Sequence, residues 1–307
     1  MTRAVVFAYH NVGVRCLSVL LAHGVEVPLV ITHQDNPKEN IWFASVEKLA
    51  TENRLPCATP DDPNSPDWIE RIRALNPDFI FSFYYRHMLK VKLLDAARVG
   101  AYNMHGSLLP KYRGRVPVNW AIINGERHTG ATLHRMVAKP DAGELVAQQV
   151  VPILPDDTGL EVFQKVTVAA ECALDRALPA LVAGTATHTP LDLTQGSYFG
   201  GRKPEDGRID WAQSSGRIHN LIRAVAPPYP GAFTEIDGKH LRILRSRIER
   251  TLHAQASQPA LHVDGSRLFA DCADGRVLEL LAVECAGERL DATGFLRAFG
   301  NARIRIP

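Results

Sequence analysis

Val99-Gly100-Ala101-Tyr102-Asn103-Met104-His105-Gly106-Ser107-Leu108-Leu109-Pro110-Lys111-Tyr112-Arg113-Gly114 joins a short apolar run to a polar loop. The run Val99–Tyr102 reads as the end of a buried strand. In extended chain, side chains two residues apart share a face. Asn103 and His105 therefore project together, and Met104 turns the other way. A carboxamide can hold a carbonyl oxygen while a neighbouring imidazole shuttles a proton. Gly106 and the Leu-Leu-Pro turn let backbone approach a ligand closely. Taken alone, Asn-x-His also describes a strand leaving the core through a polar loop, so its neighbours decide.

Upstream, strand and helix alternate. Ala4–Tyr9 reads as a strand, Val14–Ala22 as an amphipathic helix and Glu26–Thr32 as the next strand. Ser45–Asn53 is helical, with Ser45 as its cap and Glu47 in the first turn. Pro66–Leu75 is helical, Asp78–Phe83 is an apolar strand of the fully buried kind, and Val91–Ala97 is helical again. This βαβ succession predicts an α/β fold with a Rossmann-like, doubly wound parallel sheet and ligands at the strands' carboxyl ends. After the first strand, His10-Asn11-Val12-Gly13 does not match G-x-G-x-x-G, so no NAD is expected in this chain.

Downstream, Val116–Ile123 reads as a helix, Ala131–Val137 and Leu145–Ile153 as strands, and Asp157-Thr158 opens a helix to about Leu181. Gly184 to Gly207 is rich in Thr, Gly and Pro and suits a surface linker. Ser214–Ala224 is helical. Short strands with turns at Asp237-Gly238, Asp264-Gly265 and Asp274-Gly275 then fit a small OB-like β-barrel. The expected domains are 1–186, a linker at 187–209, and 210–307.

The bulk properties are those of an ordinary soluble enzyme. Of 307 residues, 46% are hydrophobic and 22% charged, and Lys plus Arg (35) nearly balance Asp plus Glu (33) for a net charge of +2. No general attraction to nucleic acid or membrane follows. No apolar stretch is long enough for a signal peptide or a membrane span, so a cytoplasmic protein without membrane insertion is expected. Five scattered cysteines with no CxxC pair suggest free, mostly buried thiols. His10, His33, His87, His128 and His134 lack metal-ligand spacing, so no metal is expected.

Asp141 lies in Lys139-Pro140-Asp141-Ala142-Gly143, between two predicted strands. A carboxylate beside an imidazole favours its protonated form, provided the carboxylate stays ionised. Asp in such a turn is also plain turn chemistry.

The set Asn103-Met104-His105-Gly106-Ser107-Leu108-Leu109-Pro110-Lys111-Tyr112-Arg113-Gly114, Gly130-Ala131-Thr132-Leu133-His134 and Asp141-Ala142-Gly143 resembles the formyltransferases that use 10-formyltetrahydrofolate. These include methionyl-tRNA formyltransferases and sugar-nucleotide N-formyltransferases. Phe7-Ala8-Tyr9-His10, Ser82-Phe83-Tyr84-Tyr85-Arg86-His87, His134-Arg135-Met136 and Phe199-Gly200-Gly201-Arg202 are similar to the formyltransferase half of the bifunctional polymyxin-resistance enzymes, which formylate UDP-4-amino-4-deoxy-L-arabinose for lipid A modification. The resemblance runs from about residue 3 to at least Trp211, and more loosely beyond.

That resemblance implies roles. Asn103 would orient the formyl group and stabilise the oxyanion, His105 would be the general acid/base, and Asp141 would pair with His105. The co-substrate would be 10-formyltetrahydrofolate. His87, Met88 and Leu89 would edge the pterin slot, and Arg115, Val137, Ala138, Lys139, Pro140 and Asp141 would contribute to the folate site. Met88-Leu89 also reads as simple core packing, and Pro140 restricts Lys139 to extended conformations. From residue type rather than resemblance, Arg202 and Lys203 are expected to contact the substrate's diphosphate, since the flanking Gly200-Gly201 allows close approach and Arg grips phosphate bidentately. The aromatic and cationic Tyr84, Tyr85 and Arg86, with Asn103, are expected on the substrate side. His33-Gln-Asp-Asn-Pro-Lys-Glu-Asn-Ile-Trp42 is short and balanced in charge, unlike the basic insertion of the tRNA enzymes. A nucleotide amino sugar is therefore the expected partner, with no nucleic acid. Methionyl-tRNA, or another nucleotide-linked amino sugar, is the alternative substrate. Hydrolysis of the folate, or an RNA-binding module, are the readings from other classes. A dehydrogenase/decarboxylase activity is expected only as a separate or fused partner.

Overall fold

The computed structural model describes residues 1–254, 258–300 and 302–306. The elements in chain order are β1 (Arg3–Ala8), α1 (His10–Ala22), β2 (Glu26–Ile31), α2 (Val46–Glu52), β3 (Cys57–Ala58), α3 (Pro66–Ala74), β4 (Phe79–Phe83), α4 (Val91–Leu94), β5 (Gly100–His105), β6 (Arg113–Gly114), α5 (Pro117–Ile123), β7 (His128–Arg135), β8 (Leu145–Pro152) and α6 (Gly159–Val182). They continue with β9 (Tyr198–Phe199), α7 (Ser215–Ala224), β10 (Ala232–Ile236), β11 (Lys239–His253), β12 (Ala260–Asp264), β13 (Arg267–Asp271), β14 (Arg276–Cys285), β15 (Glu288–Leu290), α8 (Ala292–Phe299) and β16 (Arg303–Arg305). Two compact units emerge. One comprises Met1–Pro117, His128–Val151 and Gln164–Gly200, and the other Val118–Arg127, Pro152–Phe163 and Gly201–Pro307.

The first unit holds the expected Rossmann-like sheet, in the order β3-β2-β1-β4-β5-β7-β8. β1 is central because Ala4, Val5, Val6, Phe7 and Ala8 are fully buried. A strand covered on both faces reads as a continuous apolar run rather than an alternation. β1 pairs in parallel with β2 and β4, and β4 in parallel with β5, where Ser82 lies opposite Asn103. Because β2 and β3 lie on one side of β1 and β4 on the other, the chain reverses its direction of growth between β1 and β4.

The sheet departs from an all-parallel reading at one edge. β7 runs antiparallel to β5, with Asn103 opposite His134 and His105 opposite Thr132. The chain leaving β5 stays at that end of the sheet. Leu109 N–H donates to Thr132 Oγ1 (3.2 Å), whose hydroxyl donates to Ser107 C=O (2.7 Å). A chain that re-enters a sheet from the end it left must run antiparallel. β8 then follows β7 as its neighbour, with Arg135 N–H donating to Glu144 C=O at 2.8 Å.

Other boundaries shift. β5 continues through His105 instead of ending near Tyr102. α1 begins at His10, four residues before the expected Val14, because His10 takes a left-handed φ of 67° and turns directly out of β1. α4 is a single turn that stops at Leu94. Ser45 caps α2 as expected, accepting from Lys48 N–H. Within the stretch expected as plain linker, Leu193–Gln195 is a 3-10 turn and β9 pairs in parallel with β6.

The second unit carries the OB-like barrel, as one antiparallel sheet ordered β10-β11-β14-β13-β12-β16 with β15 on β14. The three expected Asp-Gly turns join β10 to β11, β12 to β13, and β13 to β14. At the first of these Asp237 and Gly238 both have positive φ (49° and 72°), the geometry that matches strand twist in a tight hairpin. Trp211, Phe269 and Phe295 fill its core, and Trp211 Nε1 donates to Thr234 Oγ1 at 3.1 Å. All five cysteines are free, with Cys172 exposed. Among the described residues no helix is long and apolar enough to cross a membrane, and no cluster of His, Cys, Asp and Glu is arranged to hold a metal.

Candidate active site

Asn103 and His105 project from the end of β5 on one face, while Met104 between them is 1% exposed on the other. Asp141 comes from the turn joining β7 to β8, where a φ of 49° aims it back at β5. Its Oδ1 lies 3.5 Å from Asn103 Nδ2, 3.6 Å from His105 Nδ1 and 3.4 Å from His134 Nε2. Its Oδ2 accepts from Gly114 N–H at 2.9 Å. One carboxylate is thus the hub of four groups drawn from β5, β6 and β7.

The hub is electrostatically set. Burial works to raise the Asp141 carboxyl, but the charge of His105, the hydrogen bond and charge of His134 and the Gly114 N–H together hold it well below the usual carboxylate range. It is therefore an anion throughout the working pH range.

The hydrogen bonds assign the rings. His105 Nε2 lies 2.8 Å from Tyr112 C=O, and a carbonyl only accepts, so Nε2 carries a proton. Nδ1, facing Asp141 Oδ1, is the nitrogen left for proton exchange. His134 Nδ1 likewise donates to Arg135 C=O at 2.9 Å, and its Nε2 sits 3.2 Å from Asn103 Nδ2. Nε2 also faces Asp141 Oδ1 at 3.4 Å, and a carboxylate oxygen only accepts, so this nitrogen donates to Asp141 and packs beside the Asn103 amide. His134, 1% exposed, is the participant that sequence reasoning missed. Thr132 and His134 share the two-residue spacing of Asn103 and His105, but only the antiparallel register makes them neighbours.

The loop behind the pair is tied down along its length. Ser107 Oγ donates to Lys111 C=O (2.7 Å), Tyr112 N–H to Ser197 Oγ (2.9 Å), Arg113 N–H to Ser197 C=O (3.0 Å) and Arg115 N–H to Phe199 C=O (2.9 Å). Tyr112 stacks on Phe199 at 5.3 Å. Gly114 has a φ of 97°, and a Cβ there would lie 2.2 Å from Phe199 C=O, so glycine is required where the backbone reaches Asp141.

The remaining expected site residues are dispersed. Tyr84, with φ of 58°, places its hydroxyl against Gly106, beside His105. Tyr85 is buried in the core cluster, stacked on His33 at 4.1 Å and edge-on to Phe7. Arg86 is engaged by Glu39 through two 2.9 Å bonds and lies over the Tyr9 ring. His87 is edge-on to His33 at 4.8 Å. Leu89 belongs to the same core cluster as Tyr85, whereas Met88 is 56% exposed and its C=O accepts from Asn64 Nδ2. Arg115, Val137, Ala138 and Lys139 are exposed, with Pro140 half-buried beside Asp141. In the second unit, Arg202 lies 4.7 Å over the Trp120 ring and donates to Asp206 C=O at 2.6 Å, and Lys203 N–H donates to Asp206 Oδ2 at 2.7 Å.

Comparisons with known proteins bear on this geometry. Residues 15–178 match the formyl transferase family and residues 202–300 match the formyl transferase C-terminal domain. Among solved structures, an N-formyltransferase from Helicobacter canadensis, in complex with folinic acid and dTDP-3-aminofucose, is 21% identical with a TM-score of 0.72, covering 91% of this chain and 99% of its own. The sugar 3-N-formyltransferase WlaRD, with dTDP and 5-N-formyltetrahydrofolate, is 19% identical with a TM-score of 0.71, covering 94% and 99%. HypX from Aquifex aeolicus, in complex with tetrahydrofolic acid, is 19% identical with a TM-score of 0.62, covering 97% of this chain and 47% of its own.

Proposed function

Because this chain belongs to the formyl transferase family, we propose that it transfers the formyl group of 10-formyltetrahydrofolate to the amine of a nucleotide-linked amino sugar. The observation that carries the reading is the Asp141 carboxylate shared by Asn103, His105 and His134. The solved structures of similar fold that contain folates and dTDP or a dTDP-amino sugar support the choice of substrates.

In this reading the amine nitrogen attacks the formyl carbon, giving a tetrahedral centre with negative oxygen and positive nitrogen. The Asn103 carboxamide, set beside Asp141 and His134, orients the formyl group and stabilises the oxyanion, and such preorganised donors act most strongly where charge develops. His105 Nδ1 takes the proton from the attacking nitrogen and delivers it to the departing N10. A proton resting on Nδ1 meanwhile faces the anionic Asp141 Oδ1. The carbon–N10 bond breaks and the formamide and tetrahydrofolate leave. We place the folate against the His87-Met88-Leu89 backbone, Arg115 and the segment Val137 to Asp141. Tyr84, beside Gly106, is placed on the amine side, and Tyr85 and Arg86 act through the architecture around it. Arg202 and Lys203 join the substrate-binding residues by residue type, as cations in a glycine-flanked segment.

Within nucleotide amino sugars, the motifs Phe7-Ala8-Tyr9-His10 and Ser82 to His87 favour UDP-4-amino-4-deoxy-L-arabinose, and with it a place in lipid A modification and polymyxin resistance. The test is a panel of UDP- and dTDP-amino sugars and methionyl-tRNA incubated with 10-formyltetrahydrofolate and followed by mass. Formylation of the UDP-arabinose derivative supports the specific assignment. Formylation of only dTDP-sugars replaces it with a sibling substrate. Formate release at full rate without any amine would overturn transfer in favour of hydrolysis.

A further inference from the structure

Arg113 is a charged side chain that the proposed chemistry leaves without employment. It is 9% exposed, and its Nε is buried with no hydrogen-bond partner. A guanidinium taken out of water costs several kcal/mol unless an anion or acceptors replace its hydration. Comparable cations here have found such partners. Arg86 is gripped by Glu39, and Arg202 rests on Trp120 and Asp206 C=O. By contrast, no carboxylate among the described residues pairs with Arg113.

Its position is defined by the strand that carries it. The N–H groups of Arg113 and Arg115 face β9, bonding to Ser197 and Phe199 carbonyls. The flanking Tyr112 C=O and Gly114 N–H face the other way, to His105 and Asp141. β6 is therefore a ribbon hydrogen-bonded to β9 on one edge and to the reacting cluster on the other. The Arg113 side chain stands across the plane of those bonds, between the two residues whose backbone groups hold His105 and Asp141.

We propose that Arg113 is an anion-binding residue that takes a phosphate of the substrate's diphosphate, an inference that rests on the nucleotide amino-sugar reading above. Two properties of the co-substrates decide between their anions. In 10-formyltetrahydrofolate the carboxylates lie beyond the aminobenzoyl ring from N10. In a nucleotide amino sugar only the sugar ring separates the amine from the nearest phosphorus. An anion close to the reacting nitrogen is thus the diphosphate. A planar guanidinium matches phosphate oxygens with two parallel hydrogen bonds. Its burial also means that little bulk water competes for them. Fixing the diphosphate here fixes the distance at which the amine is presented to His105.

The experiment compares wild type with Arg113→Met, which keeps length and apolar bulk, and Arg113→Lys, which keeps charge without the fork. Each full-length protein is titrated with inorganic pyrophosphate and followed by thermal melting, and each is assayed with the amino sugar accepted by the wild type. Pyrophosphate should raise the Tm of the wild type, raise that of the Lys variant less, and leave the Met variant unmoved. The KM for the amino sugar should rise about 10- to 100-fold in the Met variant, the scale of a lost charge-assisted contact. The KM for the formyl donor should stay within about twofold. Equal pyrophosphate stabilisation of all three proteins, no stabilisation of the wild type, or a KM rise confined to the folate would overturn the assignment. An Arg113-dependent pyrophosphate response in a protein that formylates no nucleotide amino sugar would uphold the anion site and remove the proposed reaction instead.

Discussion

A single carboxylate decides how the nitrogens around it behave. With Asp141 kept ionised by its neighbours, His105 holds one ring nitrogen on Tyr112 C=O and turns the other toward Asp141 Oδ1. Asn103→Ala and His105→Ala are each expected to lose about 100-fold or more in kcat, the scale of an oxyanion donor or a proton carrier, measured with the substrate identified by the panel. Near-normal turnover in either would remove that residue from the mechanism. Asp141→Asn keeps the shape but withdraws the negative oxygen facing Nδ1, so a proton there is less favoured. The acidic limb of the pH dependence of kcat/KM should move to lower pH, and an unmoved limb would argue against the pairing.

His10 shows residue chemistry of another kind. Burial, assisted by the charge of Arg86, pushes its imidazole down to about 3, while in the unfolded chain it titrates near 6.5. Between those values the unfolded chain binds more protons than the native one, so stability falls as pH falls across that window and is whole above it. His10→Phe, which retains stacking on Phe43, should flatten the fall of Tm between about pH 6 and 4 relative to wild type. Parallel Tm curves for the two proteins would show that His10 does not carry the acid sensitivity.

Elements bring these residues together through one reversal of direction. β7 re-enters the sheet from the end where β5 leaves it, and this sets His134 opposite Asn103 and turns Asp141 back toward both. β6, only two residues long, survives because β9 pairs with it on one side and the cluster on the other. The weak point of this ribbon is Gly114. Gly114→Ala meets a φ of 97° and a Cβ 2.2 Å from Phe199 C=O, so β6 must part from β9 or from Asp141. A loss of about 1–3 kcal/mol in stability together with a fall in kcat is expected from denaturant titration and turnover. Wild-type stability and rate would mean that the ribbon does not position Asp141.

Over the whole molecule, charge argues for a small substrate. The formal net charge is +2, with 35 basic and 33 acidic side chains, and many of the basic ones are neutralised locally, as in Arg247–Glu279 and Arg267–Glu249 of the barrel. Binding to a polyanion scales with the number of phosphates neutralised and weakens steeply with salt. Methionyl-tRNA should therefore show no saturable binding at about 0.15 M salt in a filter or fluorescence titration, whereas the amino sugar that serves as substrate should saturate. Tight, saturable tRNA binding would shift the reading to the tRNA branch of the family.

The amino-acid sequence by itself determined the βαβ order, the buried central strands, the Asp-Gly hairpins of the barrel and the common face of Asn103 and His105. Each follows from spacing over a few residues, where backbone geometry leaves little choice. Only the tertiary structure decided that β7 runs antiparallel, that His134 joins the cluster, that Leu89 is core while Met88 is exposed, and that Arg86 is already spent on Glu39. Those outcomes depend on which strand pairs with which and which charge finds which partner. They are contacts between distant stretches, such as Gly114 with Asp141 or Arg113 with Ser197, and no local periodicity encodes them.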